Sequence, residues 1–350
     1  MLKFKKYSKK IKKYMQRGRL LKAFNTNVFE LERACLKHLN PVTCPIILIS
    51  QIQRSGGSLL SQLFDFHPQL HAHPYELKIG YPKKYNWPEI NLNDGPRHWF
   101  DILFEDDVIK HFENGYKKEP TSDDTFPFIF LPYLQRKIFL HFVKSMDPIK
   151  TRDVFNAYMT SYFGAWLNNS NYHGNKRYVS GFTPRLSEQK NNMEKFFGIY
   201  ADGRLISIIR NPKNWFPSAF RHNRKIKKDK YSNINVAIDQ WKQNTEAIIR
   251  NKELYKQKVC VIRFEDLIQK TERVVKHLSN FLEIEYNPIL LVPTFNGIPI
   301  RANTSFDENR EGIIKNTVER YKTLSSKEIG VIEQETSVLY DRALKLADVF

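Results

Sequence analysis

Residues 46–68 read IILISQIQRSGGSLLSQLFDFHP. Four apolar residues, rich in β-branched isoleucine, predict a strand that breaks at Ser50 and Gln51. Arg54-Ser55-Gly56-Gly57-Ser58 then forms a turn, and Leu59 onward reads as an amphipathic helix. A glycine pair between strand and helix lets the backbone turn tightly and approach a ligand closely. The first amides of the helix lack intrahelical partners and lie at the positive end of its dipole, which suits an anion such as a phosphate. The plainer reading is a tight turn with no ligand. Neither GxxxxGK[ST] nor GxGxxG occurs, so the loop is not an ordinary ATP or NAD loop.

A chain of 350 residues, 41% hydrophobic and 13% aromatic, can bury a large core. Short apolar runs at 46–50, 178–182, 204–209 and 258–263 alternate with helical patterns at 57–66, 214–225, 233–256, 265–282 and 326–347. That alternation predicts an α/β fold, with a central, mainly parallel sheet between flanking helices. The stretch 81–150 is rich in Pro, Asn, Tyr and Phe with weak periodicity, and reads as a partly helical insertion covering the sheet edge. The expected organisation is a basic, partly helical segment over 1–40 and a single domain over 41–350.

Cys35, Cys44 and Cys260 form neither a disulfide framework nor a zinc pattern, which suggests a reducing compartment. No run approaches 18 uninterrupted apolar residues, and no apolar stretch follows the basic N-terminus, so neither a membrane span nor a secretory signal is expected. Residues 1–22 carry ten Lys or Arg and no acid; removing those ten from a net charge of +19 leaves +9 on the rest. The segment suits an anionic surface, such as the inner face of a membrane, or else a solvated tail, and the expected location is cytoplasmic.

The second informative stretch is LISIIRNPKNWFPSAFRHN, residues 205–223. A strand ends at Arg210, Asn211-Pro212 halts it, and Ser218 falls about one turn into the next helix. Arg210 and Ser218 can therefore face the crevice at the carboxyl ends of the strands, offering a charge and a directed donor to a phosphate. The alternative is a structural ion pair and a solvent-facing serine.

The ordered set of these blocks, with VCVIRFEDLIQKTERVVKHLSNFLEI (259–284) and GIPIRANTSF (297–306), resembles the sulfotransferases that use 3′-phosphoadenosine 5′-phosphosulfate. The resemblance spans roughly residues 46–310 and implies a P-loop-like three-layer α/β domain. It implies that Arg54, Ser55, Gly56, Gly57 and Ser58 hold the 5′-phosphosulfate, that Gln53 and Leu59 on either side also bind the cofactor, and that Arg210 and Ser218 hold the 3′-phosphate. Arg54 also stabilises the leaving oxygen in a loose, in-line transfer. Cytosolic members usually carry Lys in the loop and an aromatic after it; Arg54 and Leu59 here look closer to the bacterial, Golgi and tyrosylprotein branches. Arg301, Asn303 and Ser305 are expected to close over the cofactor.

The acceptor hydroxyl needs a base. Glu76, in HAHPYELK, resembles the catalytic Glu of tyrosylprotein members in its distance from the loop. His71, His73 and His67 compete for the role. The HxH pair lacks further ligands at metal-binding positions, and the family chemistry requires no metal. The acceptor is expected to be a carbohydrate, glycolipid, protein tyrosine or other anionic hydroxyl compound. Two rival classes are a P-loop nucleotide kinase, which would want a lysine at the end of the loop, and a basic nucleic-acid-binding protein, for which no module is recognisable and no specific nucleic acid is expected. Trp166, Trp215 and Trp241 read as core; Glu265-Asp266 reads as the start of a helix or as support for a neighbouring loop.

Overall fold

A computed structural model of the protein describes residues 2–79, 85–117, 125–172, 174–225, 233–300 and 312–348. The chain divides into two compact units, Met1–Val42 with Ile129–Leu167 and Thr43–Phe128 with Asn168–Phe350. The stretch 81–150, read above as one insertion, is thus shared between them.

The first unit is helical: α1 (Leu2–His38), α5 (Pro132–Lys144) and α6 (Thr151–Ala165). Phe139, Phe155, Tyr158, Tyr162 and Phe163 bury their rings here, and Gly164 lets Leu39 approach so closely that a Cβ would lie 2.7 Å from its Cδ1.

The second unit is built on five strands: β1 (Ile46–Ile49), β2 (Leu70–Glu76), β5 (Tyr178–Phe182), β6 (Arg204–Ile209) and β7 (Val259–Arg263), in the spatial order β2-β5-β1-β6-β7. All four ladders of this sheet are parallel; Ile47, for example, pairs with Ser180 on one side and Arg204 on the other. Every residue of β1 and β5 is buried, as both faces of a covered parallel sheet require. Two short antiparallel pairs complete the strands among the described residues, β3 (Tyr116–Lys117) with β4 (Thr125–Phe126) and β8 (Thr294–Phe295) with β9 (Ile298–Pro299).

The sheet is flanked by α2 (Gly57–Phe64), α7 (Lys190–Ile199), α8 (Pro212–Lys225), α9 (Ile234–Tyr255), α10 (Phe264–Gln269), α11 (Thr271–Phe281) and α12 (Ser326–Leu346), with α3 (Pro96–Leu103) and α4 (Asp107–Asn114) in the same unit. Trp215 and Trp241 are core residues of this unit, and Trp166 of the helical one.

The expected helix over 265–282 is in fact two, α10 and α11, broken at Lys270 (φ −128°, ψ 41°). No glycine or proline marks the break; Lys270 closes α10 through its N–H to Asp266 O and opens α11 through its carbonyl to Val274 N. The strand β2 lies outside the four apolar runs that the sequence singles out. It is an edge strand, paired on one side only, where Pro74 is tolerated and the register shifts between Ala72 and Glu76. The run 46–50 ends one residue early, because Ser50 enters a buried hydroxyl cluster: its Oγ accepts from Ser187 N (3.0 Å), and its carbonyl accepts from Ser187 Oγ (3.1 Å) and Ser207 Oγ (2.9 Å).

Candidate active site

Parallel strands deliver their loops to one edge of the sheet. The crevice there takes residues from the carboxyl end of every strand: Gln53 and Arg54 after β1, Glu76 ending β2, Phe182 ending β5, Arg210 after β6 and Phe264 after β7. This is where open α/β sheets bind ligands.

The loop after β1 is shaped by its glycines. Gly56 sits at φ 93° as the N-cap of α2, and Arg54 also adopts a left-handed conformation (φ 66°). A Cβ on Gly57 would lie 2.2 Å from both Gln51 Nε2 and Phe182 Cε2, so any side chain there must displace them. Helical bonding begins with Leu60 N to Gly56 O (3.0 Å), and no side chain caps the first turn. Its amides are left to a ligand or water. Gly56, Gly57, Ser58 and Leu59 line the crevice, while Ser55 is buried beneath with a hydroxyl that has no hydrogen-bond partner. Trp215 Nε1 fixes the loop through Gln53 O (2.8 Å).

Arg210 is the centre of the site and only 4% exposed. Its Nη1 donates to Arg54 O (2.5 Å), and its Nη2 donates to Ser218 Oγ (3.1 Å) and Thr317 O (3.1 Å). Its guanidinium rests 4.1 Å from the centroid of the Phe264 ring. Among the described residues no carboxylate contacts it, and its Nε is buried without a partner. Burial lowers its pKa to about 9, which the charge of Glu265 opposes and those of Arg54 and Arg320 reinforce; the group remains cationic at neutral pH. A buried cation whose three described acceptors are neutral suits an incoming anion.

Of the four candidate bases, the crevice takes in Glu76 and none of the three histidines. His67 is satisfied as structure: Gln69 N donates to Nδ1 (3.1 Å), so Nε2 carries the proton donated to Glu285 O (3.0 Å). His73 bonds the backbone of Tyr75 and sets Nε2 3.4 Å from Glu105. His71 is held neutral by burial, with Lys176 adding to the effect, and its pKa falls to about 3.

The crevice also holds groups that the sequence reading missed. His222 lies one turn beyond Ser218 on α8, and Ile268 comes from α10. Ile314, Thr317 and Arg320 come from residue 314 and the 3₁₀ turn Lys315–Thr323, pinned by Tyr321 N to Asn214 Oδ1 (3.1 Å). The i, i+4 spacing from Ser218 gives a signal for His222; KNTVERYKT has no recognisable motif. Arg301, Asn303 and Ser305 lie outside the described residues.

Residues 45–288 match the model of the sulfotransferase family, and the chain belongs to that family. Among solved structures, the sulfotransferase domain from the Synechococcus PCC 7002 olefin synthase shares the fold, with 17% identity over 89% of this chain and 98% of that one and a TM-score of 0.53. The sulfotransferase domain from the curacin biosynthetic pathway (18% identity, 84% and 98% covered, TM-score 0.47) and mouse sulfotransferase SULT7A1 complexed with PAP (11% identity, 91% and 94% covered, TM-score 0.41) are more distant in shape. No match was found among curated proteins.

Proposed function

We propose that the protein moves a sulfuryl group from 3′-phosphoadenosine 5′-phosphosulfate to a hydroxyl of a carbohydrate, glycolipid or protein tyrosine. The observation that carries this reading is Arg210: a buried guanidinium with neutral acceptors and an orphan Nε, bonded to Ser218 on one side and to the loop carbonyl of Arg54 on the other. One cation thus links a candidate 3′-phosphate pocket to a candidate phosphosulfate loop.

The donor supplies an activated sulfuryl group. Gln53, Arg54, Ser58, Leu59 and the loop amides orient its 5′ end, and Arg54 stabilises charge on the leaving oxygen. Ser55 supports the loop from below. Glu76, across the crevice, accepts the acceptor's proton at its carboxylate. Arg301, Asn303 and Ser305 are proposed to complete the cofactor site.

Labelled sulfate transfer from the donor into panels of carbohydrate, lipid and peptide acceptors tests the reading. Binding of Mg-ATP in preference to adenosine 3′,5′-bisphosphate would replace it with a kinase.

The same reading places the enzyme in the cytoplasm, with α1 at an anionic inner membrane surface. No helix among the described residues is long and apolar enough to cross a membrane. The support for surface attachment is the ten basic residues of 1–22, together with Met15, Leu21 and Phe29, which are 60%, 62% and 62% exposed on α1. Deleting residues 1–22 should weaken binding to vesicles containing phosphatidylserine and leave bisphosphate affinity unchanged; undiminished vesicle binding would remove the attachment.

A further inference from the structure

One buried charge in the site is left unused by the transfer chemistry. Glu265 follows Phe264, the residue whose ring supports Arg210. Its Oε1 accepts the N–H of Asn211 (3.1 Å), fixing the backbone next to Arg210, whereas its Oε2 is buried and has no hydrogen-bond partner among the described residues. No ion pair joins Glu265 to Arg210, yet the two charges act on each other. The carboxylate therefore offsets the buried cation without occupying its donors.

Resting on the sulfotransferase reading, we propose that Glu265 is a proton-linked positioning residue of the 3′-phosphate site: it holds its proton more strongly once a 3′-phosphate takes over its role as counter-charge to Arg210, so that nucleotide binding is coupled to proton uptake from solvent. Burial already raises the Glu265 carboxyl above its ordinary range, and Arg210 is the main charge holding it down. A phosphate that shares the field of Arg210 weakens that restraint.

The charged and titratable groups around the pair are Arg210 after β6, Arg263 at the end of β7 and N-cap of Glu265's own helix α10, Tyr340 from α12, and Arg54 and Arg320, which act on Arg210. His222 lines the same crevice from α8. The sign follows from linkage: the nucleotide-bound pKa of Glu265 exceeds the free one, so binding takes up protons. Affinity then rises as pH falls through the window between the two values, by up to about tenfold per pH unit for one linked proton.

Calorimetric titration of the full chain with adenosine 3′,5′-bisphosphate, at pH 6 to 8 in buffers of different ionisation enthalpy, tests this. The bisphosphate also titrates in this range, so the comparison is between wild type and Glu265→Gln, which keeps the acceptor for Asn211 N. The variant is expected to take up fewer protons, to show a shallower pH dependence, and to bind at least as tightly as wild type at pH 8. Equal uptake and equal slope, or uniformly weaker binding by the variant, would overturn the proposal. If the variant does not fold, adenosine 5′-monophosphate in wild type decides: lacking a 3′-phosphate, it should cause no such uptake, and equal uptake would refute the role. Failure of the wild type to bind the bisphosphate at all would remove the functional reading and this inference together.

Discussion

Ser218→Ala separates the two ends of the proposed nucleotide site. In the protein, Ser218 Oγ accepts from Arg210 Nη2 at 3.1 Å and donates to Asn214 O over a longer 3.3 Å. The variant lacks both bonds with or without nucleotide; in the wild type the bond from Arg210 is kept on binding and only the one to Asn214 is exchanged. What changes is the hydroxyl proton, which turns from a long neutral bond to a charged phosphate oxygen. A hydrogen bond to a charged group contributes about 1.5–3 kcal/mol and a neutral one about 0.5–1.5. With the long 3.3 Å bond at the weak end, about 0.5 kcal/mol, the net loss is about 1–2.5 kcal/mol, roughly five- to seventyfold in Kd. The assay is calorimetry with adenosine 3′,5′-bisphosphate and, in parallel, adenosine 5′-phosphosulfate, which has no 3′-phosphate. The variant should bind the second ligand like wild type. Equal losses for both ligands, or none for the bisphosphate, would refute the assignment of Ser218 to the 3′ end.

Arg210→Met should behave differently from Ser218→Ala: because Arg210 also holds the Arg54 carbonyl at 2.5 Å, both nucleotides should lose affinity in parallel titrations. Glu76→Gln should lower turnover by about two to four decades while bisphosphate Kd stays near wild type, and a near-normal rate would return the base to another group. Gly57→Ala should lower the Tm by an overpacking cost of about 1–3 kcal/mol, since the new methyl meets Gln51 and Phe182 at 2.2 Å. Gly198→Ala in α7, where nothing lies within 4 Å, should be neutral or stabilising. Burial lowers the pKa of His71 to about 3 and of His111 to about 4, both from 6.5. Each contributes stability above pH 6.5 that is lost as pH falls toward the folded-state value, by up to about 1.4 kcal/mol per pH unit. Thermal unfolding should therefore show a steep acid limb below pH 6.5, shallower in His71→Gln.

The parts of the fold legible in the sequence are those governed by local pattern. Four strands were readable because both faces of a parallel sheet demand unbroken apolar runs, and the loop after β1 because two glycines in succession serve few other purposes. The fifth strand was not, because LHAHPYE breaks every strand preference that an inner position would impose and an edge position does not. Lys270 shows the converse: a helix broken by tertiary packing at a residue whose type gives no warning. Arg210 and Ser218 could be paired in advance because they lie eight residues apart across one strand-to-helix turn. Thr317 and Arg320 could not, since their place in the crevice depends on a chain reversal about a hundred residues later.

That distant segment explains why the central cation is an arginine. Its three acceptors belong to the loop after β1, to α8 and to the 3₁₀ turn near the C-terminal end, so no local interaction could bring them together. The sheet order sets β6 beside β1, which puts residue 210 within reach of residue 54; α8 then returns Ser218, and the 3₁₀ turn presents the carbonyl of Thr317. A planar fork with five fixed donors can bind three chain oxygens in different directions and still leave Nε for an anion. An ammonium has three donors on one atom and no flat face for the Phe264 ring. Arg210→Lys keeps the charge but cannot hold loop, helix and turn together, so it should restore little of the affinity lost in Arg210→Met. A lysine variant with near wild-type Kd for both nucleotides would mean that charge alone organises the crevice.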